Sequence, residues 1–398
     1  MIPRFRPPHT FRDLGILLTH KKAKKTILDF ENAFANAANQ KYAKVFPYGR
    51  TALVATLSYL QTRATHDKKQ VICPAYTCVV VAHAIIESGL EPVFVDSNEL
   101  TLNMDWDYVL QAVNNKTLAV ISTSLFGNPT QEQKLKEFRL INPDIPIIQD
   151  CAHSFFAGGI NRNGIAAIYG LNVSKIRTSL FGGMVTTDNT ELSNWLLKYG
   201  EKNLVPSNFL RRIKRSLYLI GSLIAFSRLC YWFTFKLIRM NLLGKFVNYY
   251  DPNKITFPKD GFRQIGTVEA QLGKRQINTY TKEIKRRTKL AQVYIEELLD
   301  LKGVFLPQFE KGSTYSHFPI LVKNPIALRD RLQKQGIEIG SVIEYSIENM
   351  PPYSKYLYFG KSNSQKIRDQ IVNLPIHRGI NLHTAKKIVR CIKISIEV

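Results

Sequence analysis

Four separated fragments carry the side chains best suited to chemistry. In GLNVSKIRTSLFGGMVTTD (170–188), Lys175 follows a short apolar run. A lysine set against an apolar sheet loses proton affinity, and its free amine can form a Schiff base. In IIQDCAHS (147–154), a second apolar run ends at Asp150, with His153 three residues on. An aspartate there either caps a helix or turn or pairs with a protonated heteroaromatic nitrogen. YGRTALVATL (48–57) is a glycine-containing turn that opens directly into a helix, and a helix start offers unpaired N–H groups to a phosphate. PAYTCVVVAHAIIESGLEPVFVD (74–96) puts Tyr76 and Thr77 at a strand end, able to cover the face of a planar ligand.

Each fragment alone has an ordinary explanation: a solvated lysine, a capping aspartate, a common turn. Together they are the parts of a pyridoxal phosphate site. The turn cradles the phosphate and Lys175 holds the cofactor. Asp150 keeps the pyridine nitrogen protonated so that the ring accepts electrons. Once substrate has displaced it, the lysine moves the proton at the α-carbon.

The elements that must position these groups follow from hydrophobic periodicity. QVICPAY (70–76), EPVFVD (91–96), LAVISTSLFG (118–127) and IPIIQD (145–150) read as buried strands, and helices begin at Thr51, Thr77 and Gln131. The alternation predicts an α/β domain with a mainly parallel sheet, whose strand carboxyl ends usually carry the ligand site. After about residue 285 the texture changes. A long amphipathic helix (282–300) precedes a strand (315–323), a helix (327–337) and a strand in RCIKISI (390–396), which together predict a smaller α+β domain. The expected division is an N-terminal arm (1–40), a large domain (41–204), an apolar basic insertion (205–255), a return to the large domain and dimer interface (256–284), and the small domain (285–398).

Charge sets the partner class. Lys and Arg number 55 against 31 Asp and Glu, leaving +24, which suits a polyanionic neighbour. The cations are spread along the chain without a nucleic-acid-binding pattern, so nucleic acid is not expected. Five cysteines without CxxC pairing fit a reducing compartment, and scattered histidines (His83 and His317 read as core or hydrogen-bonding residues) give no metal site. The N-terminus lacks the apolar core of a signal peptide, so a cytoplasmic location is expected. Within 211–246 the chain is almost continuously apolar, broken chiefly by Arg228 and Lys236 and flanked by Arg211, Arg212, Lys214, Arg215, Arg239 and Lys245. A charge in mid-segment argues against a simple span. Two readings stay open: a segment docked in the membrane interface, or a helix pair buried against the body or a dimer partner.

The chain resembles the DegT/DnrJ/EryC1/StrS sugar aminotransferases over about 45–200 and 262–378. The resemblance rests on the 71–105 strand–helix–strand, SLFGNP, QDCAHS, SKIRTSLFGGMVTTD, VEAQLGKRQI, RDRLQKQGI and VNLPIH, the last containing His377. It implies fold type I of the pyridoxal phosphate-dependent transferases, a homodimer with its site at the subunit boundary, and glutamate as the usual amino donor. By the same resemblance Lys175 is the Schiff-base lysine, Asp150 the pyridinium partner, and His153 the group beside the cofactor's phenolic oxygen. Gly49, Arg50 and Thr51 hold the phosphate. Relatives that carry histidine in place of the lysine perform dehydration, so Lys175 favours transamination.

Several positions depart from the family pattern. Cys78 stands where a ring stacker is common, which leaves Tyr76 as substitute. Gly170 replaces a phosphate-contacting serine, for which Asn172 or Ser174 compensates. Arg263 stands in for an asparagine of the partner chain's segment. Leu180 and Phe181 make an apolar pair expected at the mouth of the site. The function expected is transfer of an amino group to a keto-sugar, nucleotide- or lipid-linked, in surface glycan or lipid synthesis. The competing reading is a degraded relative serving as a membrane-associated scaffold.

Overall fold

The protein is described here by a computed structural model covering residues 1–19, 22–227, 229–240, 242 and 251–396. Its main sheet has eight strands in the order β1-β7-β6-β5-β4-β2-β3-β10. These are β1 (Tyr42–Phe46), β2 (Gln70–Pro74), β3 (Glu91–Val95), β4 (Thr117–Thr123), β5 (Ile147–Asp150), β6 (Ala166–Gly170), β7 (Gly183–Thr187) and β10 (Tyr358–Phe359). All run parallel from β6 to β10, while β7 is antiparallel to both β6 and β1. β2 and β4 are buried along their whole length, as sequences of continuous apolar character become when helices cover both faces of a sheet.

Helices α2 (Gly49–Gln61), α3 (Val80–Glu87) and α6 (Thr190–Asn203) pack one face through Leu57, Ile85 and Leu196. The other face takes α1 (Ala23–Ala38), α4 (Trp106–Ala112) and α5 (Glu132–Ile141), through Phe34, Val109 and Phe138. Thus α1, in the expected N-terminal arm, contributes to the main core.

A second core lies in the C-terminal part, built from α10 (Tyr280–Leu298), β8 (Val304–Phe305), β9 (Phe318–Val322), α11 (Pro325–Lys334), β11 (Ile371–Leu374) and α13 (Leu382–Ile396), with α12 (Asn363–Gln370) beside them. Its three strands are ordered β11-β9-β8 and pair antiparallel. The expected strand at 390–396 is instead the end of α13. Ala385, Ile388, Val389 and Ile392 are buried at helical spacing, and that packing overrides the strand preference of the β-branched run. β10 leaves this part of the chain and pairs with the edge of the main sheet at β3.

The apolar, basic stretch forms α7 (Phe209–Ala225) and α8 (Tyr231–Arg239) over its described part. Arg228 and Lys245 lie outside the described residues. Leu219 and Leu223 of α7 pack on Ile16, in the 3-10 turn Phe11–Leu18, and on Val268 and Leu272 of α9 (Thr267–Ile277). Among the described residues no helix is long and apolar enough to cross a membrane.

Candidate active site

Asp150 is the last residue of β5, and the 171–182 loop that follows β6 carries Lys175. The loop is closed by its own polar groups. The Leu171 amide donates to the Gly182 carbonyl at 2.9 Å, and the Leu171 carbonyl accepts from the Ser179 amide at 3.0 Å and the Thr178 hydroxyl at 3.1 Å. Asn172 Oδ1 accepts from the amide (3.0 Å) and hydroxyl (2.6 Å) of Ser174, so these two expected ligands already bond each other. Such side-chain turns fix a loop without regular secondary structure.

Burial lowers the proton affinity of Lys175, while Cys78 and the Asp150 carboxylate partly restore it. Burial pushes Asp150 the other way, upward, opposed by its bond from the Ala152 amide (2.9 Å) and by Lys175. The pair is therefore held where an amine and a carboxylate each sit closer to neutrality than in water.

Two imidazoles stand beside the lysine. The rings of His153 and His317 lie 5.0 Å apart, and Phe126 packs against both. His153 Nδ1 accepts from the Phe126 amide at 3.4 Å. Burial and the charge of Lys175 hold both histidines well below the usual imidazole range, so both are neutral. His317, expected from the sequence only as a core or hydrogen-bonding residue, is thus brought next to His153 by the fold. Arg287 positions it by donating to the carbonyls of Tyr315 (3.0 Å) and Ser316 (2.9 Å), just before His317.

The first turn of α2 has no capping side chain at Tyr48, which leaves its leading amides for an anion. The side chains around it are engaged elsewhere. Arg50 donates to the Thr256 carbonyl (3.2 Å), Thr51 to the Gly261 carbonyl (2.6 Å), and Tyr48 to Asp260 Oδ1 (2.6 Å). The segment 256–261, expected only as part of the return to the large domain and dimer interface, therefore backs the turn. Gly49 sits against Gly170 and Gly183, where β6 and β7 pass beneath the turn. A β-carbon on Gly170 would stand 3.2 Å from Lys175 Cε, so the glycine leaves room for the lysine side chain.

Not every expected residue joins this group. Tyr76 is fully buried among Leu102, Leu125 and Ile343 and donates to the Ile343 carbonyl at 3.2 Å, so no part of its ring is open to a ligand. Cys78, in contrast, lies within electrostatic reach of Lys175 and Arg50. Arg263 points elsewhere within its own chain, to the Pro206 carbonyl at 3.5 Å. His377 is buried against the N-terminal segment, bonded to the Pro3 carbonyl at 2.9 Å.

Leu180 and Phe181 lie against α7, and Phe181 also packs on Tyr48 with ring centroids 6.2 Å apart. Leu180 is fully buried with Leu219 and Leu223, and Phe181 packs on Tyr218 with the Arg215 guanidinium 3.6 Å above its ring. The apolar pair serves as the seat of α7, a contact that only the folded chain reveals.

The assembled group is an amine of reduced basicity facing a carboxylate, with neutral imidazoles beside it and uncapped amides at one end. It suits a planar ligand that carries a carbonyl and a phosphate. The sequence profile of the DegT/DnrJ/EryC1/StrS aminotransferase family matches residues 19–209 and 262–393, leaving α7 and α8 unmatched between them. The dTDP-4-amino-4,6-dideoxy-D-glucose transaminase of Shigella dysenteriae is 24% identical over 389 residues, 94% of this chain and 89% of that enzyme. GDP-perosamine synthase of Escherichia coli O157:H7 is 26% identical over 332 residues, 83% and 79% of the two chains. Among solved structures, Helicobacter pylori PseC, an aminotransferase involved in pseudoaminic acid biosynthesis, superposes with a TM-score of 0.78 at 18% identity, over 100% of this chain and 99% of that one. The profile match spans most of the chain and both halves of the site, and the chain belongs to the DegT/DnrJ/EryC1/StrS aminotransferase family.

Proposed function

We propose that the protein is a pyridoxal phosphate-dependent aminotransferase that transfers an amino group from an amino acid, glutamate by preference, to a keto-sugar carried on a nucleotide or a lipid. The observation that carries this reading is Lys175, an amine of lowered proton affinity set beside Asp150 in the loop after β6. The residues present fit the cofactor. Lys175 is the covalent attachment point, Asp150 the carboxylate for the ring nitrogen, and the amides of Gly49, Arg50 and Thr51 the phosphate donors. The room left by Gly170 admits the lysine beneath the cradle.

Bound pyridoxal phosphate supplies an electron sink for the α-carbanion. The protein does the rest. Lys175 Nζ takes and returns the proton at the reacting carbon, which a depressed proton affinity favours. Burial raises the proton affinity of Asp150, and the Ala152 amide and the charge of Lys175 oppose that rise. His153 and His317, both neutral, offer hydrogen bonds without adding a competing positive charge. Cys78, Asn172, Ser174 and, from a partner subunit, Arg263 complete the proposed surroundings. Assembly as a homodimer and work at the inner membrane face, for a lipid-carried acceptor, belong to the same proposal.

The test is spectroscopic. Incubation with pyridoxal phosphate is expected to give a visible absorbance band that Lys175→Ala lacks, and glutamate is expected to convert it to the pyridoxamine spectrum. A protein that stays colourless sinks the reading.

A further inference from the structure

The outer surface of α7 and α8 is not explained by the proposed reaction. The inner face of α7 is firmly mounted. Arg211 and Arg215 both donate to Asp260 Oδ2 (3.0 Å each) and to Glu269 Oε1 (3.4 and 3.2 Å), and Glu269 is fully buried. The opposite face carries Leu210, Ile213, Leu217, Ile220 and Ile224, spaced alternately by three and four residues and all exposed. Such spacing makes a continuous stripe along a helix. In α8, Trp232 and Phe233 are more than half exposed, and Leu229 before them is 93% exposed. No other stretch of comparable length among the described residues exposes so many large apolar side chains. An exposed apolar surface of this kind marks a place of contact.

The charge around the stripe selects the occupant. Between Glu201 and Asp251 the sequence has no acidic residue, while Lys214, Lys236 and Arg239 are exposed. Lys236 Nζ lies 3.9 Å from the Trp232 ring centroid, which puts a cation and an indole on one patch. Trp beside Lys is the pairing favoured where hydrocarbon meets headgroups. No described helix is long and apolar enough to cross a membrane, so the contact that fits is in-plane. From these observations we infer that α7 and α8 form a docking surface for an anionic lipid bilayer, with the α7 stripe and Trp232 in the acyl boundary and Lys214, Lys236 and Arg239 at the headgroups. The inference rests on the membrane-face part of the proposed function and gives it a surface, but it uses none of the residues around Lys175, so flotation and the absorbance band fail separately.

The test is flotation of the full-length, cofactor-loaded protein with phosphatidylcholine vesicles, with and without phosphatidylglycerol. The protein is expected to float only with the anionic vesicles, with a blue shift of tryptophan emission that Trp232→Phe removes. Lys214→Ala, Lys236→Ala and Arg239→Ala are each expected to weaken binding about five-fold. Leu217→Glu with Ile220→Glu, both at exposed positions, is expected to abolish flotation while the absorbance band and the unfolding temperature stay unchanged. Wild-type protein that remains at the bottom of the gradient overturns the inference. So does a finding that the same double substitution turns a dimer into monomers, because the stripe is then an interface between two copies. Loss of the absorbance band in wild-type protein instead overturns the catalytic reading and leaves the docking result standing.

Discussion

Gly183, the first residue of β7, lies against the backbone of Gly49, the first residue of α2. A β-carbon on Gly183 would collide with the Gly49 amide nitrogen and the Tyr48 carbonyl group. The obstacle is main chain, so no rotamer change relieves it. Gly183→Ala is expected to destabilise the protein by about 3 kcal/mol, at the upper end for an overpacked core, and to distort the anion cradle. Gly170→Ala meets only the flexible end of Lys175 at 3.2 Å and Ala152 Cβ at 3.4 Å. It is expected to cost about 1 kcal/mol and to act mainly on the lysine. Urea unfolding of both variants, with cofactor binding followed by fluorescence, separates the two cases. Equal stability losses at the two positions would contradict this account.

The positions of Lys175, a few residues after one apolar strand, and of Asp150, at the end of another, were legible in the sequence. Local pattern carries that information. The strands β2 to β5 were legible for the same reason, whereas α13 was not: its β-branched run at 390–396 favours a strand until packing of Ile388 and Ile392 decides for a helix. His317 lies 142 residues beyond Lys175 in the numbering, and nothing around it signals that the fold returns it to the site. Asp260 behind Tyr48 and α7 over Phe181 are likewise products of tertiary contact. The packing of α7 on Leu180 and Phe181 was hidden, because an apolar pair in sequence does not reveal which surface covers it.

Asp150 raises the proton affinity of Lys175, opposing the effect of burial. Asp150→Asn removes that support, so the lysine is expected to deprotonate at lower pH than in the wild type. Labelling of Lys175 by an amine-reactive reagent, followed by mass spectrometry across pH, reads the shift directly in the cofactor-free protein. Under the proposed reaction the same variant is expected to lose about 10²- to 10⁴-fold in kcat. An unchanged labelling profile would show that the carboxylate and amine do not communicate.

Arg211 and Arg215 share two carboxylates, and the fully buried Glu269 accepts from both and from the Gly266 amide at 3.1 Å. Glu269→Gln leaves two arginines facing a neutral group in a buried place. Breaking such a network is expected to cost about 3 kcal/mol, whereas Glu191→Gln, at the exposed pair with Arg63, is expected to cost less than about 1 kcal/mol. Because Asp260 links the same arginines to Tyr48, hydrogen exchange in Glu269→Gln is expected to rise both in α7 and in the first turn of α2. Faster exchange confined to α7 would show that the two ends are uncoupled.

Buried histidines set the acid limit of stability. His9 and His83 are pushed down to about 4, and His377 to about 3, in each case chiefly by burial. The unfolded chain takes up these protons near the ordinary value of 6.5, while the native state resists them. The unfolded state thus binds more protons between about 6.5 and 4, and stability falls as pH falls through that window. At pH 5 each such group costs about 2 kcal/mol relative to neutral pH. His83 is the cleanest probe: neither ring nitrogen has a hydrogen-bond partner, and its ring stacks on Tyr353 at 6.2 Å, a contact that phenylalanine retains. In His83→Phe the stability lost between pH 7 and pH 5, read by urea unfolding, is expected to shrink by about 2 kcal/mol. A loss identical to that of the wild type would mean that His83 takes up its proton as readily in the folded protein as in the unfolded chain.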